Sequence, residues 1–173
     1  MSMQPITRNL LEFLHKNPGV RARIRAPANK TLLYAGSFFK PMWQEIADMK
    51  RAVPQLRDKV TLTEVLAGIP LHGEPFAHLL AWVERVNDVQ PWRDNGFVAW
   101  RALSGIFASN AVGAVSFQVG GGISKEAKVF AATEIAVLSR NPNVDAVSKD
   151  MLGYYQRCLE LQQPSMNAGF IAA

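Results

Sequence analysis

Glu134 is the only ionisable residue in the run VFAATEIAVL, residues 129–138. A carboxylate fixed in apolar surroundings suits a substrate that develops positive charge, because it acts through preorganised electrostatics and hydrogen bonds. The alternative is an outward-facing residue of a half-exposed strand, the commoner place for a lone acid. Trp43 and Trp100 offer π-faces to an organic cation, a contact worth roughly 0.5 to 2 kcal/mol depending on desolvation. Each also reads as core, Trp100 especially, since it falls on the apolar stripe of its helix. Ser104 follows Trp100 by one helical turn and shares its face, where it can bond a ligand oxygen. Glu64, next to Thr63 in TLTEVLAG, is either a second carboxylate of the site or the partner of Thr61 in a capping box.

Other chemistries find less support. Gly120, Gly121 and Gly122 follow a strand-like run but lack the spaced glycines and following helix of a dinucleotide fingerprint, so a hairpin loop is the better reading. His15, His72 and His78 are too scattered for a metal site, and the single cysteine, Cys158, allows no zinc pattern and no intramolecular disulfide. Cys158 reads as a small buried hydrophobe of the closing helix. Folding in a reducing compartment is the simpler expectation. No apolar run approaches the roughly 18 to 20 residues needed to span a bilayer, and the N-terminus has no long apolar stretch of a signal peptide.

The net charge of +5 lies in residues 1–30, where Arg8, Lys16, Arg21, Arg23, Arg25 and Lys30 face the single acid Glu12. A solvated basic leader is the commoner meaning of such a run, so neither a nucleic-acid nor a membrane partner is expected. With 173 residues, about half of them apolar, the chain has enough core for one domain, placed at 31–173 after the leader.

The elements that must position these residues are legible from period and punctuation. Residues 1–16 predict a short helix through Leu10, Leu11, Phe13 and Leu14, and 17–30 a connector rather than core. TLLYAG, 31–36, predicts a buried strand. Phe38 to Arg51 predicts a helix with Pro41 in its first turn. Thr61 and Glu64 open a helix closed by Gly68. Longer helices are expected over about Pro75 to Val86 and Asp94 to Asn110. Strand-like runs then follow at 114–119, 129–138 and 144–147, and a closing helix at 149–162. This order predicts an α/β or α+β domain, a sheet of a few strands with helices packed around it.

Three stretches in register carry a resemblance: Trp43 in FFKPMWQEI, 18 residues before TLTEVLAG; Trp100 and Ser104 in VAWRALSGIFASNAVGAVSFQV; and Glu134 in VFAATEIAVL. They resemble the ADP-ribosyl cyclase family of NAD glycohydrolases, over about Tyr34 to Val147. In that family a tryptophan, an acidic TLEDTLLG-like motif, a WxxxSxxFA helix and a glutamate in an FxxxE strand build one pocket. The resemblance implies that fold, with Glu134 mid-strand and catalytic, Glu64 contacting the nicotinamide carboxamide, and Trp43, Trp100, Ser104 and Thr63 binding substrate. Trp82 and Trp92 match none of the catalytic elements. Two departures stand out. Thr63 occupies the family's first acidic position, with Glu64 one place later, and Glu45 replaces the arginine found two residues after the first tryptophan.

The implied activity is cleavage of the nicotinamide–ribose bond of NAD to ADP-ribose or cyclic ADP-ribose, with NAD as substrate and no metal or cofactor. Nicotinamide leaves neutral and needs no general acid, while the ribose becomes oxocarbenium-like and needs a carboxylate. A disulfide-free member implies a cytoplasmic site of action, as an NAD-depleting toxin domain delivered into a target cell and matched by an immunity protein. The alternative, which the two departures allow, is a non-catalytic binding module on the same scaffold.

Overall fold

The computed structural model describes residues 3–35, 42–89, 97–119 and 133–162. Helix α1, Pro5–Lys16, opens on proline, whose missing N–H costs nothing in a first turn, and buries Leu10 and Leu14 while Arg8, Glu12 and Lys16 stay exposed. Its last carbonyls are satisfied from the next turn. Arg21 Nη1 donates to Leu14 O and His15 O, both at 2.7 Å, and Asn17 Nδ2 donates to Phe13 O at 2.7 Å. Residues 17–30, expected as a connector, contain helix α2, Pro18–Arg23, and then send Ile24 and Ala26 into the same hydrophobic core as Leu10 and Leu14. Of the basic residues of this segment Arg23 and Arg25 are exposed, whereas Arg21 and Lys30 are half-buried, Arg21 against the end of α1. Composition counts charge without recording which side of an element carries it.

Strand β1, Thr31–Ala35, lies parallel to β2, Val115–Val119, in the register Thr31↔Val115 through Ala35↔Val119. A parallel pair needs a long crossover. Here it runs through helices α3 (Met42–Ala52), α4 (Leu62–Ala67), α5 (Leu79–Val89) and α6 (Phe97–Ser109), with a 3₁₀ turn at Pro54–Leu56. Single parallel bridges widen the sheet on both sides, Thr31↔Val60 beyond β1 and Gly113↔Val144 beyond β2. The result is a mixed helix-and-strand domain with a small parallel sheet. Gly113 sits at φ +78°, and a Cβ there would meet Asn29 Oδ1 at 2.0 Å, so glycine is what lets Asn29 reach in and bind the Ala114 N–H at 2.8 Å.

Two expected strands do not form among the described residues. The run at 129–138 is helical over its described part: a turn at Thr133 and Glu134 leads into α7, Ile135–Arg140. Glu134 is therefore not mid-strand; its backbone has φ −65° and ψ −43°. The buried positions Glu134, Ile135, Leu138 and Asn141 recur at helical spacing, whereas a strand would have buried alternate residues. At 144–147 only Val144 bridges. Asp145 then accepts the Ser148 N–H at 2.8 Å across the first turn of α8, Ala146–Gln162, and starts that helix early. Helix α5 likewise begins at Leu79 rather than near Pro75, because His78 Nδ1 accepts the Ala81 N–H at 3.1 Å in its first turn.

One core cluster draws on α1, β1 and α4 to α8, with Leu66, Leu79, Val83, Leu103, Phe107 and Leu138 among its most buried members. Among the described residues no helix is long and apolar enough to cross a membrane. Gly120 to Gly122 and Trp92 lie outside the described residues, as does the side chain of Cys158.

Candidate active site

Helix α6 supplies the centre of the site. Its inner face carries Trp100, Leu103, Ser104, Phe107 and Ala108, all buried. Asn141, itself buried, fixes the end of this helix by donating Nδ2 to Ala108 O, Ser109 O and Ala111 O at 3.0, 3.1 and 2.9 Å. Asn141 closes α7, so the same side chain that caps α6 also sets α7 beside it. Gly105 completes the fit, since a Cβ there would touch Thr133 Cγ2 at 3.4 Å.

This docking buries Glu134, which is 6% exposed, and brings it to a hydrogen bond with Ser104. Burial pushes its carboxyl up to about 8, and the Ser104 hydroxyl offsets only part of that. No cation neutralises it among the described residues, and a buried carboxyl raised in this way is a candidate functional group. Trp100, one turn earlier, is 5% exposed, and its Nε1–H has no acceptor among the described residues. Native interiors rarely leave such a donor unmet.

The remaining candidates sit on α3 and α4. Trp43, in the first turn of α3, is 46% exposed, so its ring has open surface whereas Trp100 is packed in the core. Thr63 is buried and its Oγ1 donates to Met42 Sδ at 2.7 Å, which joins α4 to the start of α3 beside Trp43. Glu64 completes the expected capping box, with Oε2 accepting from Thr61 N at 2.8 Å. Its Oε1 accepts from Lys50 Nζ at 2.7 Å, and Lys50 also donates to Lys59 O at 2.7 Å. Burial opposes the charge on Glu64, but the bonds from Lys50 and Thr61 outweigh it and hold the carboxyl below its ordinary range. Glu64 is thus engaged through both oxygens. Glu45 accepts the Tyr34 hydroxyl, tying α3 to the end of β1, and burial followed by this bond raises the Tyr34 hydroxyl above the usual phenol range.

The candidates fall into two groups, Ser104 and Glu134 with the Trp100 turn where α6 meets α7, and Thr63 bonded to Met42, the neighbour of Trp43, where α4 meets α3; α4 in turn packs against α6. Arg101, Lys50, Tyr34 and Asn141 were not singled out from the sequence. Only Arg101 had a local signal, its place between Trp100 and Ser104. Trp82 is buried elsewhere, donating to Ile6 O at 3.3 Å under an open groove of about 590 Å³ that includes none of the candidate residues. Compared with protein-family models, curated proteins and solved structures, the chain has no match in any of the three.

Proposed function

We propose that this chain cleaves the nicotinamide–ribose bond of NAD on an ADP-ribosyl cyclase-like scaffold. The observation that carries the reading is Glu134, the glutamate of the resemblance: a buried carboxyl at the start of α7, bonded to Ser104 and without a cationic partner among the described residues. The C1′–N bond breaks with its electron pair going to the pyridinium nitrogen, so nicotinamide departs neutral. Water then bonds to C1′ and loses a proton, giving ADP-ribose; attack by the adenine ring instead gives the cyclic product.

In this scheme the substrate brings a positive charge to Glu134. The pyridinium, and then the oxocarbenium-like ribose, favour the ionised carboxylate, so productive binding releases the proton that burial retains. Trp43 supplies the exposed π-face for nicotinamide, Trp100 backs the Ser104–Glu134 pair from the core, and Thr63 fixes α4 against the Trp43 helix. Glu64 serves by holding α3 to α4 through Lys50. A chain with one cysteine suits action in a reducing cytosol, where NAD depletion makes a toxin and an immunity protein its natural partner.

The test is nicotinamide release from NAD by the full chain, beside Glu134→Gln. Turnover by the wild type that drops at least about a hundredfold in the variant supports the assignment. A folded wild type that binds NAD and releases no nicotinamide makes the protein a binding module instead.

A further inference from the structure

Arg101 follows Trp100 on α6, and its Nε–H donates to the Thr133 hydroxyl at 3.0 Å. Thr133 precedes Glu134, and Glu134 is bonded to Ser104, three residues beyond Arg101 on the same helix. One turn of α6 thus carries a guanidinium and a hydroxyl that are tied to consecutive residues, Thr133 and Glu134, of the facing turn. Arg101 and Glu134 do not neutralise each other. Arg101 is exposed, its one bond among the described residues is to a neutral hydroxyl, and it joins no ion pair there. With Nε committed, the two terminal nitrogens remain for a ligand, and an arginine fork matches a phosphate better than any other side chain does.

The dinucleotide of the proposed reaction has its positive charge at the pyridinium and ribose C1′ and its negative charge on the diphosphate, one ribose away. A site for it needs a carboxylate and, near but apart from it, a cation. Position 45, two residues after Trp43, holds a glutamate bonded to Tyr34, and Lys50 is bound to Glu64 and Lys59 O. We infer that Arg101 binds the diphosphate of the substrate, so that α6 presents both charges of the site: the cation from its own side chain, and the carboxylate through the bond of Ser104 to Glu134. This rests on the NAD reading. It predicts that ligands carrying a diphosphate, and not nucleosides, owe their affinity to this side chain.

The experiment uses the full chain as wild type, Arg101→Gln and Arg101→Lys, with ADP as the binding probe in calorimetry and with NAD and nicotinamide riboside as paired substrates. The dissociation constant for ADP should rise at least about tenfold in Arg101→Gln, with Arg101→Lys between the two. The loss in kcat/KM on Arg101→Gln should be at least about tenfold larger for NAD than for nicotinamide riboside, which has no phosphate. Equal ADP binding by wild type and Arg101→Gln, or equal losses for the two substrates, overturns the assignment of Arg101 while a wild type that releases nicotinamide leaves the NAD reading standing. A wild type that neither binds ADP nor releases nicotinamide overturns both.

Discussion

Glu134→Gln should make the protein more stable as it makes it inactive, and the gain should depend on pH. The folded-state carboxyl is raised from 4.5 to about 8, chiefly by burial. Between those values the folded chain keeps a proton that the unfolded chain has lost, so stability falls as pH rises through the window and levels off above about 8. Each pH unit corresponds to about 1.36 kcal/mol, so the buried carboxylate costs roughly 3 kcal/mol at pH 7 and roughly 5 kcal/mol above pH 8. Glutamine has the same shape, can still bond Ser104 and never ionises. Urea unfolding of both proteins at pH 5, 7 and 8.5 should therefore show near-equal stabilities at pH 5 and a widening advantage for the variant above it. Parallel stability–pH profiles would refute the reasoning, because they would mean that Glu134 titrates alike in the folded and unfolded chains.

Three further outcomes are expected. In wild type, kcat/KM for NAD should fall about tenfold per pH unit below about 8, since the ionised carboxylate is the form that binds the cation; a profile flat from pH 6 to 9 would assign the chemistry elsewhere. Trp100→Ala should cost roughly 3 to 5 kcal/mol in chemical denaturation, as loss of a buried aromatic does, while Trp43→Ala, nearly half exposed, should leave the melting temperature almost unchanged and raise KM for NAD; equal destabilisation of the two would contradict their different burial. Glu64→Gln keeps the capping geometry but loses the charge facing Lys50 and should cost under about 1 kcal/mol, Glu64→Ala about 1 kcal/mol or slightly more, with turnover per folded molecule unchanged in both; a large drop in turnover with Glu64→Gln would restore a direct catalytic role for this carboxylate.

The parts of this molecule that can be read from sequence are those whose physics is local. The Thr61–Glu64 box is legible because both of its bonds close within four residues, and β1 and β2 because TLLYA and VSFQV are rich in residues that fit a pleated, buried surface. The segment around Glu134 is not, because ATEIAVL satisfies two periods at once. Alternation would set Thr133, Ile135 and Val137 on one face, while a helix sets Glu134, Ile135, Leu138 and Asn141 together. What decides between them is Asn141, whose three bonds go to carbonyls some thirty residues away at the end of α6. The polar contacts of the site are equally silent in sequence. Tyr34–Glu45, Lys50–Glu64 and Arg101–Thr133 join residues 11, 14 and 32 apart, and no turn or capping rule connects them.

That same long-range docking gives Glu134 its properties. In a strand with one solvated face the carboxylate would keep its ordinary acidity and have little to offer a cation that water could not. Packed against α6 at the start of α7, it loses water as a competitor, and any positive charge arriving there would meet it in a medium where electrostatics are strong. The cost of this arrangement falls on folding, most heavily at the pH where the carboxylate ionises, and under the proposed reaction a cationic substrate relieves it. On that proposal stability and activity pull position 134 in opposite directions. A residue kept only for packing would be better served by glutamine or leucine, and the proposed reaction gives an acid at the start of α7, docked on α6, a use that offsets its cost.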